Sequence, residues 1–394
     1  MASKEDPSST LLFVYACPEG FSGRKEATEL LIRNIDRSQW NVESLPLPAY
    51  EKVEGRNLSQ LVRTAVGLLR SFFRTVRYAG HNIVIHLNLG QSMASIIRAG
   101  LPFLLVRFLA TGTSSVVALH GSTFMEWSPR DWTMSLFLFL LSRSDRITVL
   151  GPNQKKQLSS LGVSEEKIEI LPNTCTFPSI DRDDLLVKHE DAPPVRVMYL
   201  GLLIQTKGYF RYLEALELLA ECQNLPEIEA VLAGPISTHE GKGVFADPEK
   251  TRAAIQEKIE SINTSSHIDL VWNEWVEGKK KVQLYHDTHV FVFPSLFSVE
   301  AQPLVLMEAM SSGCAIITSK TGEIPYQLDH HIGIQLDAPT SRNVAEVLRT
   351  YVRDNSRRKQ AALEGWAHFH DEFSKESHLS KWNRVFKSLR SSLN

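Results

Sequence analysis

The sequence predicts an α/β protein of two doubly wound domains, each with a parallel sheet covered by helices. Short apolar runs of strand length alternate with segments of helical spacing along nearly the whole chain, which implies parallel sheets. The length of 394 residues exceeds one ordinary core and suits two domains. The alternation is interrupted once, by an acidic, proline-containing stretch at residues 179–194, where we expect the domain linker.

The elements follow in order from these patterns. In the first half, strands are expected at 11–16, 82–88, 115–121 and 146–150, with helices at 26–35 and 153–161. In the second half, strands are expected at 195–201, 228–233, 267–271, 289–293 and 315–319, with helices at 209–220, 248–261 and 303–311. The predicted domains are residues 1–178 and 194–370, with a helix at 371–394 that packs back toward the first domain.

Composition restricts the function classes. A net charge of -2 gives no basic surplus for a nucleic-acid partner. Residues 1–10 lack the apolar stretch of a signal peptide, and the longest apolar runs are too short to span a bilayer, so we expect a cytoplasmic protein. Cys17, Cys175, Cys222 and Cys314 are widely scattered, which suits reduced thiols and gives no metal site.

A pair of glutamates follows the strand at 289–293. Glu300 lies just before a predicted helix and Glu308 lies within it, while Pro303 suits the first helical position and Gly313 the end. In an open parallel sheet this edge binds ligands, and a helix N-terminus attracts phosphate. A buried Glu308 would need donors, such as ligand hydroxyls. Two plainer interpretations stay open, a helix-dipole partner for Glu300 and a solvent-facing Glu308.

A second strand, loop and helix unit occurs at residues 200–208. Lys207 lies close to the N-terminus of the following helix, where it would add positive charge to a phosphate site. A single lysine before a helix is weak evidence alone. The hypothesis therefore depends on Lys207 and the glutamates acting together.

Together these segments resemble the retaining GT-B glycosyltransferases of glycosyltransferase family 4, over nearly the whole chain. The specific likeness is the paired-glutamate motif, Glu300 to Glu308 followed by Ala309-Met310 and the turn at Gly313. The resemblance implies a GT-B fold, with two Rossmann-like domains facing across a cleft.

The resemblance also implies roles for the residues that match its motifs. Glu300 would contact the donor sugar, Glu308 the ribose hydroxyls and Lys207 the diphosphate. The other donor-binding positions that it implies are Gly201, Gln302, Pro303, Leu304 and Val305. The backbone N–H groups of Leu304 and Val305 would face the diphosphate. Leu202 stands where the family usually has arginine, and Gln302-Pro303 replaces a frequent Phe-Gly.

The remaining implied positions are less specific. Gly20 and Gly23 match a glycine loop near the donor, although an ordinary turn explains them as well. His120 lies at a strand end where the family often places a histidine near the donor sugar, and a structural histidine is the alternative. Trp275 and Val276 occupy the place where related enzymes hold the base.

The implied activity is transfer of a sugar from a nucleotide sugar to a glycan, lipid-linked or small-molecule acceptor, with retention of configuration and without a metal or cofactor. A basic amphipathic segment at 58–77 suggests peripheral contact with the inner face of a membrane, although core packing explains it as well. Two alternatives stay open, a non-catalytic nucleotide-sugar-binding subunit, suggested by Leu202, and a glycoside hydrolase, which also uses two carboxylates.

Overall fold

The structure is a computed structural model that describes residues 9–17, 23–48, 82–110, 112–190, 194–238, 241–329 and 331–393. The chain divides into two compact units, Met1–Asn173 with Lys375–Asn394, and Thr174–Ser374. Each unit contains one six-stranded sheet in which all pairings are parallel, so the predicted α/β class with two Rossmann-like units is confirmed.

The described residues form twelve strands. The strands of the first unit are β1 Thr10–Cys17, β2 Asn41–Pro48, β3 Asn82–Asn88, β4 Gly112–Ala118, β5 Arg146–Val149 and β6 Ile168–Ile170. Those of the second unit are β7 Val195–Leu200, β8 Ile228–Ala233, β9 Ile268–Asn273, β10 Val290–Phe293, β11 Ala315–Ser319 and β12 Ile334–Leu336.

Helices connect these strands. The first unit contains α1 Gly23–Asn34, α2 Met93–Leu109, α3 Trp132–Ser142 and α4 Pro152–Ser160. The second unit contains α5 Arg182–Lys188, α6 Tyr209–Ala220, α7 Pro248–Ile262, α8 Gly278–Asp287, α9 Leu304–Ser311, α10 Ile324–Gln327, α11 Ser341–Arg353 and α12 Asn355–His368. The last helix, α13 Lys375–Ser391, returns to the first unit.

The two sheets have different strand orders. The first runs β2-β1-β3-β4-β5-β6, and the second runs β12-β11-β10-β7-β8-β9. In both sheets the chain adds strands first on one side of the unit's first strand and then on its other side. Ligands of open α/β sheets bind at such a switch point, beyond the carboxyl ends of the strands. In the second sheet this point lies between β7 and β10, the strands that precede Lys207 and Glu300.

The boundary between the units differs from the sequence expectation. The stretch 179–194, predicted as a linker, belongs to the second unit and contains helix α5. Leu185 of α5 is fully buried against Ala362, so this short acidic helix is anchored by one apolar contact cluster. Acidic and proline-rich composition indicated a linker, but it did not reveal this packing.

Two strands differ from the predicted pattern. Pro46 and Pro48 argue against a strand, yet β2 forms because it is the edge strand, where a missing N–H breaks no ladder. Strand β4 begins at Gly112 and ends at Ala118, before the predicted end at Gly121. Its polar residue Ser115 is buried because Asp145 accepts hydrogen bonds from its N–H and hydroxyl, at 2.8 and 2.9 Å.

Helix α13 covers one face of the first sheet. Its apolar residues Trp382 and Phe386 pack with Phe13 of β1 in a single buried cluster. His86 of β3 is also buried there, 4.8 Å from the ring of Trp382 and 5.0 Å from that of Phe13. Among the described residues, neither ring nitrogen of His86 has a hydrogen-bond partner. Burial, and secondarily the charge of nearby His120, lowers the pKa of His86 to about 3.

Acid is expected to destabilise the protein through this histidine. The pKa of His86 is depressed on folding, so its contribution is present above pH 6.5 and is lost as pH falls toward 3. Between pH 7 and about 4.5 the free energy of unfolding should fall less in His86→Phe than in the wild type. The difference between the two decreases should be on the order of 1 to 3 kcal/mol. Urea-unfolding midpoints at each pH measure this. His331→Phe, at an exposed histidine, is the control, and equal acid sensitivity of His86→Phe and wild type would refute the assignment.

Candidate functional site

Two loops meet at the switch point of the second sheet. The turn Gln205–Lys207 leads into α6, and the loop that follows β10 packs on it through a hydrogen bond of 2.7 Å from Leu296 N–H to the Thr206 carbonyl. Gly208 has a φ of 80°, and a Cβ there would lie 2.0 Å from the carbonyl oxygen of Pro294. Glycine is therefore required where the two loops touch.

This contact brings Lys207 to Glu300. The Lys207 ammonium forms an ion pair with Glu300 Oε1, which also accepts a hydrogen bond of 2.8 Å from Ser295 Oγ. The ammonium lies 4.9 Å from the centre of the Phe297 ring. The Glu300 side chain is 6 % exposed and that of Lys207 is 24 % exposed. The Glu300 carboxylate is thus fixed by its two hydrogen bonds, while part of the Lys207 side chain is exposed to solvent.

The backbone of Glu300 is also fixed. Its carbonyl accepts a hydrogen bond of 2.7 Å from Glu323 N–H, at the start of α10. Gly322, with a φ of 55°, lies so close that a Cβ would come 2.0 Å from the Glu300 carbonyl oxygen. Three loops, after β7, β10 and β11, therefore converge on Glu300.

Helix α9 begins just beyond Glu300. Its N-cap residue is Pro303, whose side chain makes no hydrogen bond to the first turn. The Pro303 carbonyl accepts a hydrogen bond of 3.1 Å from Gln327 Nε2. The N–H groups of Leu304 and Val305 belong to the first turn, where a helix cannot satisfy its own donors. This uncapped N-terminus carries the positive end of the helix dipole next to Glu300.

The other end of α9 is anchored by the segment that leads into and forms α5. Ser179 Oγ and Ile180 N–H donate to the Ser311 carbonyl, at 2.8 and 3.0 Å. Lys188 Nζ donates to the Ser312 carbonyl at 2.9 Å, and burial lowers the pKa of this lysine. These contacts satisfy carbonyls that a helix C-terminus leaves open, and they fix the position of α9.

Glu308 projects from α9 into a second ion pair. Lys281 Nζ, from α8, donates to Glu308 Oε1 at 2.6 Å and lies 5.6 Å from the ring centre of Phe177. Glu308 is 8 % exposed, and its other oxygen, Oε2, has no hydrogen-bond partner among the described residues. Glu308 is therefore a buried carboxylate that keeps one unused acceptor atom among the described residues.

The Glu308 carboxylate affects the pKa of two neighbouring groups. Burial, and to a smaller extent the charge of nearby Glu308, raises the pKa of Cys175 to about 12. The pKa of the Tyr285 hydroxyl also lies well above 10, mainly through burial and then through Glu308. Both groups stay neutral beside Glu308, and the Lys281 ammonium balances the charge of this carboxylate.

The structure brings Lys207, Glu300, Gln302, Pro303 and the start of α9 together at one edge of the second sheet. Gln302 is buried, and Gly201 begins the loop after β7, with its N–H donating to the Ala233 carbonyl at 3.0 Å. Leu202, at the position of the usual arginine, is 54 % exposed.

The remaining predicted residues follow β9, belong to the first unit or fall outside the described ranges. Trp275 is 67 % exposed on the loop after β9, and Val276 packs against the core of the second unit. His120 belongs to the first unit, where its Nδ1 lies 2.7 Å from Asn173 Oδ1. Gly23 is the first residue of α1. Gly20, like the segment 58–77, lies outside the described residues.

Sequence reasoning missed three contributors. Lys281 ends a run of three lysines at the start of α8, a pattern that could have drawn attention to a cation near a helix N-terminus. Ser295 and Gly322 carry no sequence signal of their own, because their importance comes from contacts with Glu300.

Comparison with known families adds to this geometry. Residues 182–365, just under half of the chain, match the family described as Glycosyl transferases group 1. This segment has the group 1 glycosyltransferase sequence pattern. It includes Lys207, Lys281, Glu300 and Glu308, so the residues of both ion pairs lie within the group 1 segment.

A curated relative matches about half of the chain. The gpi3 subunit of phosphatidylinositol N-acetylglucosaminyltransferase from Schizosaccharomyces pombe is 22% identical over 192 residues, which are 49% of this chain and 37% of that protein. The match thus spans little more than a third of the relative's length.

Solved structures match over almost the whole chain. Anabaena HepE, in complex with UDP and glucose, is similar at a TM-score of 0.67 and 14% identity, covering 96% of this chain and 99% of that one. Sucrose-phosphate synthase from Thermosynechococcus elongatus is similar at a TM-score of 0.67 and 15% identity, covering 98% and 100%. These similarities show the GT-B glycosyltransferase fold.

Proposed function

We propose that this protein is a glycosyltransferase that moves a sugar from a nucleotide-sugar donor to an acceptor. The observation that carries the proposal is the pair of lysine-bound glutamates on one loop and helix, beside an uncapped helix N-terminus. It is supported by the group 1 sequence pattern of residues 182–365 and by HepE, a structure of the same fold in complex with UDP and glucose.

In this proposal Glu308 binds the ribose of the nucleotide. Lys281 occupies Oε1, and Oε2 is buried without a partner among the described residues. A buried carboxylate oxygen without a donor is costly, and a ribose hydroxyl would supply the missing hydrogen bond. The first-turn N–H groups of Leu304 and Val305 would then face the diphosphate, as at other helix N-termini that bind phosphate.

Lys207 stabilises the leaving diphosphate in this proposal. Breaking the sugar–phosphate bond places negative charge on the diphosphate and positive charge on the sugar carbon, so preorganised cations and N–H groups lower the barrier. Glu300 lies next to Lys207 and would contact the sugar. Retention of configuration follows if the departing phosphate accepts the proton of the acceptor on the same face. We propose no metal for this step.

Leu202, in place of the usual arginine, reduces the positive charge of the proposed phosphate site. Leu202 is exposed and carries no charge. Among the residues described at this edge of the sheet, Lys207 and the N-terminus of α9 therefore supply the positive potential for the diphosphate. We infer weaker charge stabilisation than in relatives that have this arginine. Leu202→Arg is therefore expected to speed sugar transfer, measured as UDP release from a UDP-sugar.

For the acceptor we propose a lipid-linked molecule. The gpi3 relative is by name a subunit of an enzyme acting on phosphatidylinositol, and this likeness favours a lipid acceptor over a free sugar. A non-catalytic partner subunit is the second candidate function, because the same relative is a subunit and because Leu202 replaces the usual arginine. Tight donor binding without sugar transfer to lipid or water would favour this second candidate.

Calorimetric titration with UDP tests the donor site. We expect Glu308→Gln to weaken UDP binding tenfold to about a hundredfold, because a ribose hydroxyl loses a charged acceptor while side-chain size is kept. Glu217→Gln is the matched control, since Glu217 also pairs with a lysine, Lys258, in the second unit. UDP binding that is equal in both variants would contradict the role of Glu308. If no nucleoside diphosphate binds the wild type, the proposed function fails.

A further inference from the structure

A buried lysine of the second unit contacts the ends of two helices. Lys188 is the last residue of α5 and is 9 % exposed. Its Nζ donates to the Ser312 carbonyl at 2.9 Å and to the Tyr285 carbonyl at 3.4 Å, and it lies 3.8 Å from Cys314 Sγ. Among the described residues no carboxylate forms an ion pair with Lys188. Buried lysines usually have such a partner, so its main-chain contacts are unusual.

The two carbonyls belong to different helices. Tyr285 lies in the last turn of α8, and Ser312 is the C-cap residue of α9. A helix cannot satisfy all of its last carbonyls, and they form the negative end of its dipole. Lys188 Nζ therefore places N–H donors between two negative helix ends. Without these donors the two ends would repel each other inside the core, where charge is weakly screened.

The same two helices carry the ion pair of Glu308. Lys281 lies one turn before Tyr285 in α8, and Glu308 lies one turn before Ser312 in α9. One turn of helix advances about 5.4 Å. The Lys188 contacts and the 2.6 Å pair of Lys281 with Glu308 therefore join α8 to α9 at two successive turns. Separation of the helix ends would move Lys281 away from Glu308.

Two histidines fix the main chain around Lys188. His189 Nε2 donates to the Gly313 carbonyl at 2.9 Å, and His289 Nε2 donates to the Lys188 carbonyl at 2.9 Å. Burial lowers the pKa of His189 to about 3 and that of His289 to about 4, so both rings are neutral near pH 7. His289 Nδ1 accepts from Arg196 N–H at 2.9 Å. The Lys188 side chain thus starts from a fixed point beside the two helix ends.

We propose that Lys188 is a positioning residue for the donor site, which joins the ends of α8 and α9 and thereby keeps Lys281 on Glu308 Oε1. This inference rests on the proposed binding of a ribose hydroxyl by Glu308 Oε2. With Lys281 on Oε1, the carboxylate keeps one orientation and presents Oε2 to the ribose. The plainer alternative is that Lys188 only stabilises the fold. Its loss would then weaken donor binding whichever residue occupies position 308.

Calorimetric titration of the full chain with UDP separates these interpretations. We expect Lys188→Met, which keeps an unbranched side chain but removes the donors, to weaken UDP binding about tenfold. In a Glu308→Gln background the same change should cost about twofold or less, because Lys188 acts through the Glu308 carboxylate. Lys167→Met is the matched control. Lys167 Nζ also donates to two carbonyls at a helix end, those of Ser142 and Ser144, but in the first unit.

Kinetics give a second readout. With water as acceptor, the KM for a UDP-sugar should rise in Lys188→Met by about the factor by which UDP affinity falls, because ground-state binding is lost. The kcat for UDP release should change less, since Lys207 and Glu300 belong to the loops after β7 and β10. A loss confined to kcat would contradict the positioning role.

Lysine acetylation measures the ion pair without a ligand. Lys281 and Lys258 each pair with a glutamate, and their side chains are 25 % and 26 % exposed. In Lys188→Met, acetic anhydride should modify Lys281 severalfold faster than in the wild type, because an ammonium released from Glu308 is more reactive. The rate at Lys258 should stay unchanged. Peptide mass spectrometry measures both rates.

The outcomes distinguish this inference from the proposed function. If the wild type binds UDP, unchanged UDP affinity or unchanged Lys281 acetylation in Lys188→Met overturns the positioning role and leaves the proposed function intact. Equal losses of affinity in the wild-type and Glu308→Gln backgrounds also overturn it. If the wild type binds no nucleoside diphosphate, the proposed function fails, and acetylation alone decides whether Lys188 keeps Lys281 on Glu308. Lys188→Gln, judged by the same criteria, replaces a Lys188→Met protein that does not fold.

Discussion

Lys207→Ala is expected to slow sugar transfer about a hundredfold, as loss of one preorganised donor to a developing anion does in other enzymes. The partly exposed ammonium is held by Glu300 beside the α9 N-terminus, where the departing diphosphate would lie. Most of the loss should appear in kcat, because the charge on the leaving group grows during bond breaking. The rate of UDP release from a UDP-sugar, with water as acceptor, measures this without an identified acceptor.

A second variant separates catalysis from charge balance. If Lys207 serves only to neutralise the buried Glu300, then Lys207→Ala/Glu300→Gln should be as fast as Glu300→Gln alone. If Lys207 stabilises the diphosphate, the double variant is slower than Glu300→Gln alone. Lys258→Ala removes a lysine of similar exposure, which pairs with the more exposed Glu217, and should leave the rate unchanged. Turnover of Lys207→Ala near that of the wild type would show that the phosphate site lies elsewhere.

Gly208→Ala is expected to lower the free energy of unfolding by on the order of 3 kcal/mol and to weaken UDP binding. A left-handed backbone conformation costs a residue with a side chain about 1 to 2 kcal/mol. The new methyl group would also lie 2.0 Å from the Pro294 carbonyl oxygen, so the loop after β10 would have to move. That movement separates Lys207 from Glu300, because the same loop carries both Ser295 and Glu300.

Gly162→Ala is the matched control for this prediction. Gly162 has a φ of 90°, but no atom lies within 4 Å of a Cβ placed there. The Gly162→Ala variant should lose only the stability that backbone strain costs, and its UDP affinity should be unchanged. Urea unfolding and calorimetry measure the two effects. Equal loss of stability in both variants, with normal UDP binding, would contradict the importance of the loop contact.

Helix α8 shows how much of the site depends on tertiary contacts. The paired glutamates were found from their spacing, yet Lys281, which holds Glu308, lies 27 positions away in sequence. A run of lysines indicates a solvated helix end as readily as a ligand site. Only the packing of α8 against the chain near Phe177 places one of these ammonium groups on the Glu308 carboxylate.

The sequence by itself determined the α/β class, most strands and three helices of the second unit, and Glu300, Glu308 and Lys207 as candidates, because hydrophobic periodicity and helix-end residues act over a few neighbouring positions. Tertiary structure alone decided that Pro46 and Pro48 lie in an edge strand, that 179–194 contains a packed helix, and that each glutamate is held by a lysine. Such contacts join residues far apart in the chain, so only the packed fold determines them.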